Sequence, residues 1–148
     1  AVQIRDAIAP EGIRGQVLAL RTSQISEELT EVSRLAEMGE LRLDPVDASL
    51  VYDGKPYQVL SESEEWRANF LMALVLNKRE KAKLFLADRL DLLHPQARPG
   101  VLQALAKLGI PCVVCMTARD PKQPPDLAQH GLGRTAWLGG AKIEVASG

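Results

Sequence analysis

Two short apolar runs bracket one helical pattern, and that arrangement limits the fold more than any other feature of the chain. Leu84-Phe85-Leu86-Ala87 ends in Asp88, and the run from Ile110 to Met116 ends in Thr117. Each has the length and the polar bounds of a buried parallel strand. Between them, Pro95 to Leu108 reads as a helix, with Pro95 and Pro99 in or near its first turn and Gly109 as its C-cap. A strand–helix–strand unit crosses over right-handed and builds an α/β sheet.

Upstream, residues 11 to 38 read as one long helix. Ile13, Val17, Leu20, Ile25, Leu29, Val32 and Ala36 keep one side apolar, and Gly39 follows where a cap belongs. The helix is equally a core element or the base of a coiled-coil arm, because two to three heptads do not separate the two. Alternation at Leu41 and Leu43, Leu50 and Tyr52, and Tyr57 and Val59 predicts strands, with Asp53-Gly54 as a hairpin turn. A second helix starts at Ser61, placing Trp66, Phe70, Ala73, Leu74 and Asn77 on one face, with Trp66 and Phe70 as core residues. The polar stretch NKREKAK breaks the pattern after it. PKQPPD is a loop, and TAWLGGAKIEV closes the chain as a Gly-Gly hairpin.

The length of 148 residues suits a single domain, 1–148, with the long helix in 1–40 and the remaining elements in 41–148. A hydrophobic fraction of 46%, a charged fraction of 25% and a net charge of −1 describe an ordinary globular chain. That charge gives no electrostatic reason for non-specific nucleic-acid binding by this segment. There is neither a membrane-length apolar run nor a signal peptide, which points to the cytoplasm and to no membrane partner. The chain begins at Ala1 without methionine, as a piece of a longer protein would. Cys112 and Cys115 form a C-x-x-C, open to redox or metal chemistry. Their offset of three sends them to opposite faces of a strand, and no second pair stands at zinc spacing. Two buried strand residues are the simpler reading.

LSESEEWR, residues 60 to 67, raises the functional question. Ser61 and Glu64 stand at capping-box spacing. The same helix start, with free N–H groups and a positive dipole end, is also suited to an anion. Asp88, at the carboxyl end of a strand, lies where open α/β sheets bind ligands and could hold a hydrated Mg²⁺ or simply cap a turn.

In order, the chain shows L-S-x-S-E opening a helix, a strand ending in Asp88, Leu93-His94-Pro95, and a strand ending in Met116-Thr117. This order resembles the C-terminal half of an ABC-type ATPase head, particularly the SMC and RecF-like recombination and repair families, in a variant common in phage and prophage genomes. The resemblance covers roughly residues 11 to 118. It implies the C-terminal lobe of a P-loop NTPase, a partial parallel sheet flanked by helices with an antiparallel hairpin. It further implies ATP and Mg²⁺ as cofactors and a second ATPase head as dimer partner, with DNA as a further partner that this segment's charge does not show. Ser61 would be the signature serine reaching the γ-phosphate of ATP on the opposing head, followed by Glu62, Ser63 at a usual glycine, and Glu64. Asp88 would be the Walker B aspartate that positions Mg²⁺. His94 takes the D-loop aspartate position, and Thr117 precedes the switch position.

The departures bear on chemistry. Arg89 occupies the place of the Walker B glutamate and cannot accept a proton at neutral pH. Ala118 stands at the usual switch histidine, leaving Asp91 as the nearby carboxylate to act as base. Slow, conditional or absent hydrolysis is the expectation. No G-x-x-x-x-G-K-[ST] is present, so a Walker A half must come from elsewhere in a full-length chain or from a partner chain. That half would also pair with the strand edge at Ile110 to Met116. Two alternatives remain: a non-catalytic nucleotide sensor or clamp, and a structural or protein-interaction module.

Overall fold

A computed structural model describes residues 12–117, residues 127, 133 and 135, and two strands at 136–139 and 142–145. The expected loop at PKQPPD and the expectation for Ala118 lie outside the described residues. The chain forms two compact units: one from the residues up to Arg34 and from Met38–Glu80, the other from Leu35–Glu37 and from Lys81 onward.

In the first unit, helix α1 (Ile13–Leu35) precedes an antiparallel sheet of β1 (Leu41–Leu43), β2 (Leu50–Tyr52) and β3 (Lys55–Pro56). Helix α2 (Glu62–Glu80) follows. The apolar stripe of α1 is buried only in its second half. Leu29 and Val32 are fully enclosed, whereas Ile13, Val17 and Leu20 face solvent. Two serines dock β1 on α1. Ser26 Oγ accepts from the Leu43 N–H at 3.0 Å. Ser33 Oγ accepts from the Leu41 N–H at 3.4 Å while donating to the Leu29 carbonyl at 2.7 Å. Each bond satisfies a backbone group that burial would otherwise leave costly.

The α1 cap differs from expectation. Glu37, with φ 53°, takes the left-handed position, and the Met38 N–H closes onto the Ser33 carbonyl at 3.0 Å, a Schellman ending. Gly39 serves another purpose, since a Cβ there would collide with the Asp53 carboxylate. The space is needed because Asp53 Oδ1 accepts from the Glu40 N–H at 2.8 Å and the buried Tyr52 hydroxyl accepts from the Gly39 N–H at 3.0 Å.

Asp53 and Gly54 form the expected turn, both at positive φ, and Tyr52 pairs with Lys55 across it. The third predicted strand does not form. Tyr57–Val59 is a 3₁₀ turn, because Pro56 has no N–H to extend the ladder and Val59 is exposed rather than packed. The polar break after α2 also comes later than its sequence implies. Lys78 and Arg79 remain helical, favoured by the dipole in the last turn, and Arg79 forks onto Glu28 of α1 with two 2.9 Å contacts. Lys81, with φ 51°, then ends the helix. The buried face of α2 carries Ala68, Phe70, Leu71, Leu74 and Val75. Trp66 is half-buried and stacks on Phe70, ring centroids 5.1 Å apart.

In the second unit, β4 (Phe85–Ala87) and β5 (Cys112–Val114) pair in parallel, Leu86 opposite Val113, joined through helix α3 (Arg98–Leu108). A 3₁₀ turn at Pro95–Ala97 leads into α3, and Gly109 caps it with φ 61°. The strand–helix–strand unit is thus present, but the strands are buried on one face only. Phe85 and Ala87 are enclosed, while Leu86 is 63% and Val113 47% exposed. Both cysteines are free, Cys112 half-buried and Cys115 exposed, so the expectation of two buried cysteines fails where β5 stops at Val114. Burial pushes the Cys112 thiol up. β6 (Ala136–Gly139) and β7 (Lys142–Val145) form the predicted closing hairpin, although the two residues joining them are not among those described.

Candidate functional site

Ser61 reaches its place through strict local geometry. After the 3₁₀ turn at Tyr57–Val59, Leu60 is extended and its N–H closes onto the Tyr57 carbonyl. Ser61 then caps α2, its carbonyl accepting from the Glu65 N–H at 2.8 Å. The capping box forms in half. Glu64 Oε2 accepts from the Ser61 N–H at 2.9 Å, as the motif requires. The Ser61 hydroxyl, however, donates to the same Glu64 oxygen at 2.8 Å instead of accepting from a helix N–H. Lys55 Nζ, delivered by β3, lies 2.7 Å from the other oxygen of Glu64. Lys55, then the two Ser61 bonds, hold the Glu64 carboxyl down to about 2.

Glu62 and Glu65 join Glu64 in the first turn, where the helix dipole favours acids. Glu65 accepts from the Tyr57 hydroxyl at 2.8 Å, and Asn69 donates to that hydroxyl at 2.9 Å. Ser61 and Glu62 are exposed and Ser63 is half-buried.

The second group gathers where β4 and β5 end. Asp88 follows β4, exposed, with Oδ1 accepting from the Arg89 N–H at 2.8 Å. Arg89 is left-handed at φ 57°, which turns the chain into a 3₁₀ turn over Leu90–Leu92. Leu90 and Leu93 are buried and peg the turn. Asp91 Oδ1 accepts from the Thr117 N–H at 3.2 Å, bringing two of the predicted site residues together. His94 is exposed and caps the next 3₁₀ turn, its Nδ1 accepting from the Gln96 N–H at 3.4 Å.

The predicted residues therefore fall into two clusters: Ser61, Glu62, Ser63 and Glu64 in the first unit, and Asp88, Asp91, His94 and Thr117 in the second. Lys55 and Arg98 escaped sequence reasoning. Lys55 meets Glu64 only because the hairpin folds, and Arg98 contacts residues five and seven positions earlier through a non-helical turn.

Among the described residues, no group of three or more His, Cys, Asp or Glu side chains could hold a metal by itself. An exposed carboxylate at a strand end still fits Mg²⁺, which commonly takes one or two carboxylates and fills its shell with water and phosphate oxygens. No described helix is long and apolar enough to cross a membrane.

No protein-family model matches the chain, and no curated protein matches it. Solved structures do. A chain studied for the ATP-driven dimerization and DNA-stimulated activation of SMC ATPases aligns with a TM-score of 0.61 at 17% identity, over 90% of this chain and 89% of that one. The SMC head bound to the C-winged helix domain of ScpA aligns at 0.56 and 15% identity, over 84% of this chain and 42% of that one. The SMC head domain from Thermotoga maritima aligns at 0.52 and 14% identity, over 97% and 59%. The α/β architecture here is that of a lobe of an SMC-type ATPase head. It spans about half the length of the two larger heads.

Proposed function

We propose that this chain is the lobe of an SMC/RecF-like ATPase head that carries the signature helix, the Walker B strand and the D-loop, and that it completes an ATP site in DNA recombination or repair. The Walker A half and a second head are its partners, as is DNA handled by the assembled particle. The observation that carries this reading is the pairing of chemistry with fold. An exposed serine opens α2, and an exposed aspartate ends a parallel strand, on an architecture that aligns with an SMC ATPase chain over nearly its whole length.

In this reading Ser61 turns its hydroxyl from Glu64 to a terminal phosphate oxygen. Lys55 keeps Glu64 neutralised, so the phosphate approaches a helix start relieved of one negative charge. Asp88 would hold a hydrated Mg²⁺, which when bound would neutralise phosphate charge. His94 and Thr117 line the approach. Arg89 presents a cation where a proton acceptor would speed water attack, which favours slow turnover. It equally supports the second reading, a nucleotide-gated clamp whose dimerization matters more than hydrolysis.

The test is reconstitution with a Walker A half. Ser61→Ala, which removes one donor to the transferring phosphate, should lower turnover by about a hundredfold. Asp88→Asn should abolish Mg²⁺-supported turnover or raise the Mg²⁺ concentration it needs. Nucleotide-driven dimerization without turnover, lost in Ser61→Arg, selects the clamp. Unchanged turnover and unchanged dimerization in all three variants would remove both readings.

A further inference from the structure

Arg98, half-buried at the first position of α3, aims its guanidinium back along the chain. Its Nε donates to the Leu93 carbonyl at 3.1 Å, and a terminal nitrogen donates to the Asp91 carbonyl at 3.3 Å. A planar fork of donors suits two carbonyls two residues apart, and a flexible ammonium would not fix both. On its other side the same turn is fastened to the end of β5. The Leu90 N–H donates to the Cys115 carbonyl at 3.0 Å, and Asp91 Oδ1 accepts from the Thr117 N–H at 3.2 Å. The Cys115 N–H returns a bond to the Ala87 carbonyl at 2.8 Å.

We propose that Asp91 and Arg98 are positioning residues: Asp91 ties Thr117 to the turn that carries Asp88, and Arg98 clamps that turn. Thr117 then keeps its place only while the Asp88 turn keeps its own, and the two strand ends act as one body. The role this gives Asp91 is orientation rather than proton transfer, since its engaged oxygen is held by a backbone N–H. The importance of the clamp for nucleotide handling rests on the reading of Asp88 and Thr117 given above; its existence does not.

The experiment is a pH titration of backbone amide shifts by NMR on the 148-residue chain. In the wild type, the Thr117 amide proton should track the ionisation of the Asp91 carboxylate. Asp91→Asn should abolish that response. Arg98→Met, which leaves the Asp91 carboxylate and the Thr117 N–H themselves in place, should remove most of the amplitude at Thr117, and Arg98→Lys should retain part of it. Asp88, Arg89, His94, Arg98, Lys107, Cys112 and Cys115 are the other charged or titratable groups on the turn, α3 and the end of β5, and the Asp91→Asn control separates their contributions. A wild-type Thr117 amide that does not titrate would overturn the proposal. So would an Arg98→Met chain, folded by its α3 amide shifts, whose Thr117 response equals the wild type. Should Arg98→Met not fold, Arg98→Lys carries the same decision through its partial loss. No nucleotide is needed, so this result and the turnover of Ser61→Ala can fail separately.

Discussion

The two units hold their exposed serine and aspartate by different means. At Ser61 the fastening is made of side-chain charges over short sequence distances: Glu64 three residues on, and Lys55 six residues back across a 3₁₀ turn. At Asp88 every bond has a backbone group on at least one side, in the bonds from the turn at residues 90–93 to Cys115, Thr117 and Arg98. The first arrangement is sensitive to salt and pH and costs little to rearrange. The second is anchored on backbone groups and on the buried Leu90 and Leu93, and costs more to rearrange. The function proposed above asks for a donor that swings toward a ligand, which suits the first, and for a rigid base under a metal-directed carboxylate, which suits the second.

The comparison can be broken most forcefully in the cores. Leu74 on α2 and Leu105 on α3 are both fully buried. Alanine at either should cost about 2–5 kcal/mol through lost transfer energy and a residual cavity. Hydrogen exchange should rise in α1, α2 and β1–β2 for Leu74→Ala, and in α3, β4 and β5 for Leu105→Ala. Equal rises everywhere in both variants would mean that the units do not respond separately.

A smaller effect separates crowding from strain within the second unit. A Cβ on Gly100 would lie 2.6 Å from the Ala36 carbonyl oxygen, a backbone atom with little room to yield. Gly100→Ala should therefore destabilise by about 1–3 kcal/mol in urea unfolding. At Gly109 nothing lies within 4 Å but φ is +61°, so Gly109→Ala should cost about 1 kcal/mol. The reverse order would show that the Gly100 contact relaxes easily.

The smallest effect is the pH response at Ser61. The Glu64 carboxyl is lowered from its ordinary 4.5 to about 2. Its stabilising contribution is then present above about pH 4.5 and lost as pH falls toward 2. Between those values the wild type should lose more melting temperature than Glu64→Gln. The difference should shrink in 1 M salt, because an exposed pair is screened. Parallel pH profiles would separate Glu64 from the stability of this cap.

Much of this was legible because the relevant signals are local. Asp53-Gly54, Gly109 and Ser61 each impose a backbone state that neighbouring sequence cannot override, and the strand–helix–strand run is long enough to show its period. The failures come from long-range causes. Tyr57 and Val59 alternate like a strand, but Pro56 ends the ladder and no partner accepts them. Gly39 reads as a cap, yet Glu37 takes that role and the glycine yields room to a hairpin aspartate 14 positions later. The apolar content of β4 and β5 marks them for burial but does not report which face is covered. Lys55 and Arg98 carry no motif, and only folding brings them to their partners.

Arg89 follows the strand-end aspartate in a left-handed conformation, which costs a side chain with a Cβ about 1–2 kcal/mol relative to the right-handed form. The main chain, and not the guanidinium, therefore chooses which way that side chain leaves the turn. Under the proposed function, placing a carboxylate at this position would test aim before it tested acidity, and an inactive glutamate variant would indict the bend rather than the chemistry.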